Sequence, residues 1–140
     1  MNSDSNKLWQ DRIYLLLGGI FIASLISSNL IFQKFFFWTP FAFLASPDSG
    51  SWVSWLSEYT FELSVGILPY PITFLVTDII SEIYGREKAN RVVMVGFISS
   101  IFIMGVVMVG DAASATQWSP VDDSVFHKVY GLFGPAVFAS

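Results

Sequence analysis

The sequence predicts an all-α polytopic membrane protein: a helical bundle carrying a short re-entrant β-hairpin. Three observations lead there. Hydrophobic residues make up 54% of the 140-residue chain and charged residues only 13%, with a mean hydropathy of +0.60. A soluble domain of this length needs far more charge on its surface. Apolar runs long enough to cross a hydrocarbon core of ~30 Å recur along the chain. Turns rich in proline, glycine or charge separate them. The whole is read as a single membrane domain over residues 1–140.

The first span is expected over about 8–32. Its apolar run, 13–32, is too long for the core of a cleavable signal, and Trp9 and Tyr14 suit headgroup depth at its entry. Gly19, Ala23 and Ser27 fall four apart, which predicts a small-residue face for close helix approach. Ser27, Ser28 and Asn29 make either a polar helix end or the lining of a cavity.

Residues 33–67 do not read as a span. QKFFFWTPFAFLA is too short and carries Pro40, and SPDSG marks a turn. Trp52, Trp55, Leu56 and Tyr59 recur at helical spacing, which predicts a short helix in the interface. In TFELSVGI the apolar residues alternate, a strand period. A lipid-exposed strand cannot satisfy its backbone. A hairpin with 35–43, packed inside the bundle, is therefore expected; a kinked helix from Phe61 is the alternative.

Pro69 and Pro71 open a second span, about 69–84, because proline suits the first helical turn. Its helix is short for a full crossing, a pattern that points to binding sites in transporters. GREKANR at 85–91 reads as a tight basic turn, followed by a third span at about 92–109. An acidic loop with Asp111, Asp122 and Asp123 follows, then the start of a fourth span at about 131–140. Lys7, Arg12, Arg86, Lys88 and Arg91 put the N-terminus and the 85–91 turn in the cytoplasm; the intervening loops hold only Lys34 and Lys128.

Asp78 and Glu82 carry the functional expectation. They lie four apart and so share one helix face, inside an apolar span where each charge costs roughly 2.5–3.5 kcal/mol or more. The alternative is that both reach the interface and pair with Arg86, Lys88 or Arg91. Glu62 is a third acidic candidate. The chain has no cysteine, which excludes disulfides, thiolate metal sites and a cysteine nucleophile. His127, the single histidine, sits in a polar stretch with no second ligand nearby and reads as interfacial. No metalloprotease, nucleophile-elbow, P-loop or dinucleotide motif occurs, and no basic cluster suggests nucleic acid. No cofactor and no catalytic activity are expected.

SNLIFQK, then GILPYPITFLVTDIISEIYGREKANR, and finally FHKVYGLFGPAVFAS resemble the queuosine precursor transporter family, also called the vitamin uptake transporter-like (VUT) family. Its core pattern is matched by Pro71, Phe74, Leu75, Thr77, Asp78, Ile80, Glu82, Tyr84 and Gly85. The resemblance covers almost the whole chain, with 46–59 as an insertion relative to shorter members. It implies a six-helix fold of which this chain is an N-terminal fragment. It also implies import of 7-cyano-7-deazaguanine or a related 7-deazaguanine across the bacterial inner membrane, for queuosine biosynthesis and tRNA modification. A carboxylate can accept both the N–H and the adjacent NH₂ of a guanine-like edge, and an aromatic ring can stack on the base. Asp78 or Glu82 suits the first contact, Tyr84, Tyr70 or Phe74 the second, and Asn29 a further polar edge, with Thr77 beside them. The partners expected are this small base and the lipid bilayer, with a homo-oligomer left open. The competing reading is a non-transporting membrane subunit, such as the substrate-binding partner of an energised uptake complex.

Overall fold

The structure is a computed structural model and describes residues 3–44 and 50–139. Among them, α1 (Ser3–Ile31) leads to strand β1 (Phe35–Trp38), and α2 (Ser51–Glu58) to β2 (Phe61–Ser64). A 3₁₀ turn, Val65–Ile67, then leads into α3 (Tyr70–Tyr84), α4 (Arg86–Ala112), α5 (Asp123–Tyr130) and α6 (Phe133–Ala139). Three stretches are long and apolar enough to cross a membrane: Ser5–Ile31, Val65–Tyr84 and Arg86–Ala112. The chain is thus an all-α membrane bundle with one small two-stranded sheet.

The core is the seam where α1, α3 and α4 meet, built on Phe21, Val76, Ile80, Ala89 and Val92. The face of α1 that packs is one residue away from the one expected. Gly19, Ala23 and Ser27 are exposed, while Gly18, Phe21, Ser24 and Ser28 are buried. Two small-residue rows lie side by side on a helix, and only the neighbours decide which is used. At Gly96 of α4 a Cβ would stand 2.6 Å from the Phe21 ring, so the missing side chain is what lets Phe21 seat.

The second span is longer than its prolines suggest. Pro69 is the N-cap of α3, with helical φ and ψ, and Pro71 lies in the first turn, so neither interrupts the column. The 3₁₀ turn extends it to the 20 residues Val65–Tyr84, roughly 30 Å in all. That turn is pinned to α1. The Ser28 hydroxyl donates to the Gly66 carbonyl at 2.5 Å, and the Ser64 hydroxyl donates to the Phe32 carbonyl. Gly66 tolerates this because it has no Cβ; one would meet the Ser28 carbonyl oxygen at 2.6 Å.

At the other end, the basic turn shrinks to a single residue. Gly85, at φ 87° and ψ 160°, is both the last cap of α3 and the first of α4. Only glycine adopts that conformation freely, and the remaining residues of GREKANR belong to α4. Similarly, α1 begins five residues before Leu8, and His127 lies on α5, not in a loop.

The hairpin forms with the expected partners, antiparallel, pairing Phe35 with Ser64 and Trp38 with Phe61. It is not enclosed by the described helices: Phe35, Phe37 and Trp38 are well exposed. Two strands leave two unpaired edges, which hydrocarbon cannot satisfy. The hairpin begins past the end of α1, and Tyr59 links its Phe61 ring to Trp55 of α2, an aromatic cluster of the kind that suits headgroup depth. The turn expected at SPDSG lies outside the described residues apart from Gly50.

Gly96→Ala and Gly66→Ala are each expected to destabilise the bundle by about 1–3 kcal/mol through overpacking. Gly105→Ala, whose Cβ would meet nothing within 4 Å, is the neutral or mildly stabilising control. Thermal unfolding of the three variants in detergent measures the contrast.

Candidate functional site

Tyr70, Phe74, Asp78 and Glu82 follow one another at four-residue steps along α3, and all four are exposed. Thr73, Val76 and Ile80 hold the helix to its neighbours from the other side. The result is a stripe about 18 Å long, aromatic at one end and acidic at the other. Tyr70 and Phe74 meet edge to face, with centroids 5.2 Å apart at 81°.

Two of the three basic residues expected to neutralise the carboxylates, Lys88 and Arg91, are engaged elsewhere. Arg91 pairs with Glu87 at 2.6 Å, one turn away on α4. The Lys88 ammonium lies over the rings of Tyr14 and Tyr84, 5.2 and 5.1 Å from their centroids, a cation–π arrangement. Among the described residues, no basic group pairs with Asp78 or Glu82. Glu82 stands close to the helix end. Asp78 is seven residues from Gly85, about 10 Å at 1.5 Å per residue, and its single methylene cannot carry a charge that far. An unpaired charge held at depth against acyl chains costs roughly 2.5–3.5 kcal/mol, a large share of a domain's net stability. An ionised Asp78 on this face would need water or polar protein beside it, not lipid tails.

The other three expected site residues lie off the stripe. The Thr77 hydroxyl donates to its own helix, at 3.0 Å to the Thr73 carbonyl and 2.9 Å to that of Phe74. Tyr84 clamps the basic end: its hydroxyl donates to the Gln10 carbonyl at 2.9 Å and its ring meets Tyr14 at 5.4 Å. The Tyr14 hydroxyl in turn donates to the Lys88 carbonyl at 3.1 Å. Asn29 is buried on α1 and lines a cavity shared with α4 and α6. Glu62 is exposed on β2, opposite Phe37 in the sheet.

Of Ser27, Ser28 and Asn29, read from the sequence as either a polar helix end or a cavity lining, Asn29 alone lines this cavity, and the sequence did not show the rest of it. Its walls come from three helices, so no single window of sequence contains it. On α4 the polar member of the lining is Ser100, whose hydroxyl donates to the Gly96 carbonyl one turn back. Among the described residues no cluster of metal-ligating side chains occurs.

A family model described as "Putative vitamin uptake transporter" matches residues 64–140, more than half of the chain. The chain belongs to this family. The match begins at Ser64, the last residue of β2, and takes in the 3₁₀ turn and α3 to α6; α1 and β1 lie before it. It is narrower than the resemblance over nearly the whole chain. No curated protein and no solved structure matches the sequence. Membership of an uptake-transporter family implies a membrane protein that handles a small molecule.

Beyond the spans, α5 is capped by Asp122, whose carboxylate accepts from the Val125 amide at 2.8 Å and the Ser124 hydroxyl at 2.9 Å. These bonds, the Val125 amide first, hold its pKa below the usual 3.8. A depressed carboxylate stabilises the fold above its unfolded pKa, and that contribution is lost as pH falls through the lower folded value. Amide exchange at Val125 should accordingly accelerate as pH drops below about 3.8, relative to the intrinsic rate. Asp122→Ala should show the faster exchange already at neutral pH.

Proposed function

We propose that this protein imports a queuosine precursor, 7-cyano-7-deazaguanine or a related 7-deazaguanine, across the bacterial inner membrane. The substrate leaves chemically unchanged. The carrying observation is the α3 stripe: two carboxylates without counter-ions among the described residues on an exposed face of an apolar span, next to two aromatic rings set edge to face. Within it, Asp78 or Glu82 accepts the N–H and NH₂ of the guanine-like edge, and Phe74 or Tyr70 stacks on the base. A bidentate, charge-assisted contact of this kind is the strong form of hydrogen bonding. Supporting the orientation, Lys7, Arg12, Arg86, Lys88 and Arg91 gather at the end of the bundle where Tyr84 meets Gln10. That end is cytoplasmic by the excess of positive charge, and with it the N-terminus.

Uptake of labelled 7-cyano-7-deazaguanine by cells producing Asp78→Asn or Glu82→Gln tests the reading. Loss of a charged hydrogen-bond pair worth about 1.5–3 kcal/mol should cut uptake ten-fold or more in at least one variant. Native uptake by both would overturn the carboxylate assignment. Liposomes containing only this protein separate a self-sufficient carrier, which accumulates the base unaided, from the binding subunit of an energised complex.

A further inference from the structure

Lys34 and Lys128 are the two basic residues away from the group at the Tyr84 end of the bundle. They lie far apart in the sequence, and the fold brings them to one open groove. It runs between the end of α1 and α5 and has a volume of about 620 Å³, within the size range of small-molecule sites. Leu30, Ile31 and Val129 line it together with the two lysines. Gln33 ties its two sides, because the Gln33 side-chain amide donates to the Val129 carbonyl at 2.6 Å. Among the described residues neither lysine has an ion pair, and no acidic side chain lines the groove. The nearest acids along the chain are engaged elsewhere. Asp122 caps α5, Asp123 accepts from the Ala115 amide at 2.7 Å, and Asp111 meets His127 at 2.7 Å.

The order of these groups along the membrane normal selects an occupant. Leu30 and Ile31 close the last turn of the membrane-spanning α1, and Lys34 stands just past it. Apolar side chains thus give way to ammonium groups within about one turn, at the depth where acyl chains give way to phosphates. A free anion would use the lysines and leave the apolar wall idle. A lipid without net charge would use the wall and leave two cations unmatched. An anionic phospholipid uses both, and basic pockets between membrane helices are a recognised setting for acidic headgroups. We propose that this groove holds one anionic phospholipid, with its phosphate between Lys34 and Lys128 and an acyl chain along Leu30, Ile31 and Val129. The lipid then bridges α1 and α5. The site is separate from the α3 stripe and does not rest on the uptake reading.

The probes are phosphatidylglycerol and phosphatidylcholine with the same acyl chains. Each is added to the purified full chain in neutral detergent and followed by native mass spectrometry. One phosphatidylglycerol should be retained more tightly than phosphatidylcholine. A lysine beside an anionic lipid contributes about five-fold in affinity. Lys34→Gln/Lys128→Gln should therefore weaken phosphatidylglycerol at least ten-fold, with an unchanged unfolding temperature in phosphatidylcholine. Lys7→Gln/Arg12→Gln removes equal charge at the other end and should leave the affinity within two-fold. In the native protein with its lysines dimethylated, which keeps their charge, the Lys34 and Lys128 methyl signals should shift together and saturate at one lipid concentration. Equal retention of the two lipids, native affinity in Lys34→Gln/Lys128→Gln, or shifts confined to Lys7 and Lys88 would overturn the proposal. So would displacement of phosphatidylglycerol by inorganic phosphate at equal affinity, since that marks a free-anion site.

Discussion

Everything in this bundle depends on the approach of one backbone to another at Gly66. Lipid gives helices no hydrophobic reason to associate, so contact must come from close packing and hydrogen bonds. At Gly66 both are present. The missing Cβ lets the chain lie against the Ser28 carbonyl and Phe32, and the Ser28 hydroxyl then reaches the Gly66 carbonyl. This contact sets where α3 starts. Gly85 sets where it ends, and Tyr84, Tyr14 and Lys88 lock that end to α1 and α4. With both ends held, the rotation of α3 is decided: Thr73, Val76 and Ile80 face in, so Phe74, Asp78 and Glu82 face out.

The polar groups of the spans divide into two kinds. Thr73, Thr77, Ser99 and Ser100 return their hydroxyls to carbonyls one turn back on their own helix. They satisfy themselves and ask nothing of the surroundings. A carboxylate has no such option, because it only accepts and every helical amide donor is already used. Asp78 is therefore the residue whose environment must be supplied from outside the three packed helices. Of the basic residues that sequence proximity offers, Arg91 is spent on Glu87 and Lys88 on the tyrosine rings.

The stripe and the Asn29 cavity sit on different faces because α1 and α4 share their seam with both α3 and α6. Phe21 is the hinge of that arrangement. Its ring fills the space over Gly96 on the core side and forms a wall of the cavity on the other. A substitution at Gly96 would thus disturb packing and cavity together.

By itself the sequence determined the elements whose signal is local. Spans follow from apolar length, the hairpin from the two-residue alternation in TFELSV, the short helix α2 from the helical spacing of Trp52, Trp55 and Tyr59, and the shared face of Asp78 and Glu82 from the helical period. The core pattern from Pro71 to Gly85 was long enough to carry the family. Tertiary structure alone decided the rest. Gly18 and Gly19 are equal in sequence, and only Val92 and Phe21 select the row that packs. The hairpin lies outside the described helices because its edges need partners that no pattern of side chains reveals. Asn29 separates from Asp78 because α3 and α6 lie against different sides of α1, and a distance across helices has no counterpart along the chain.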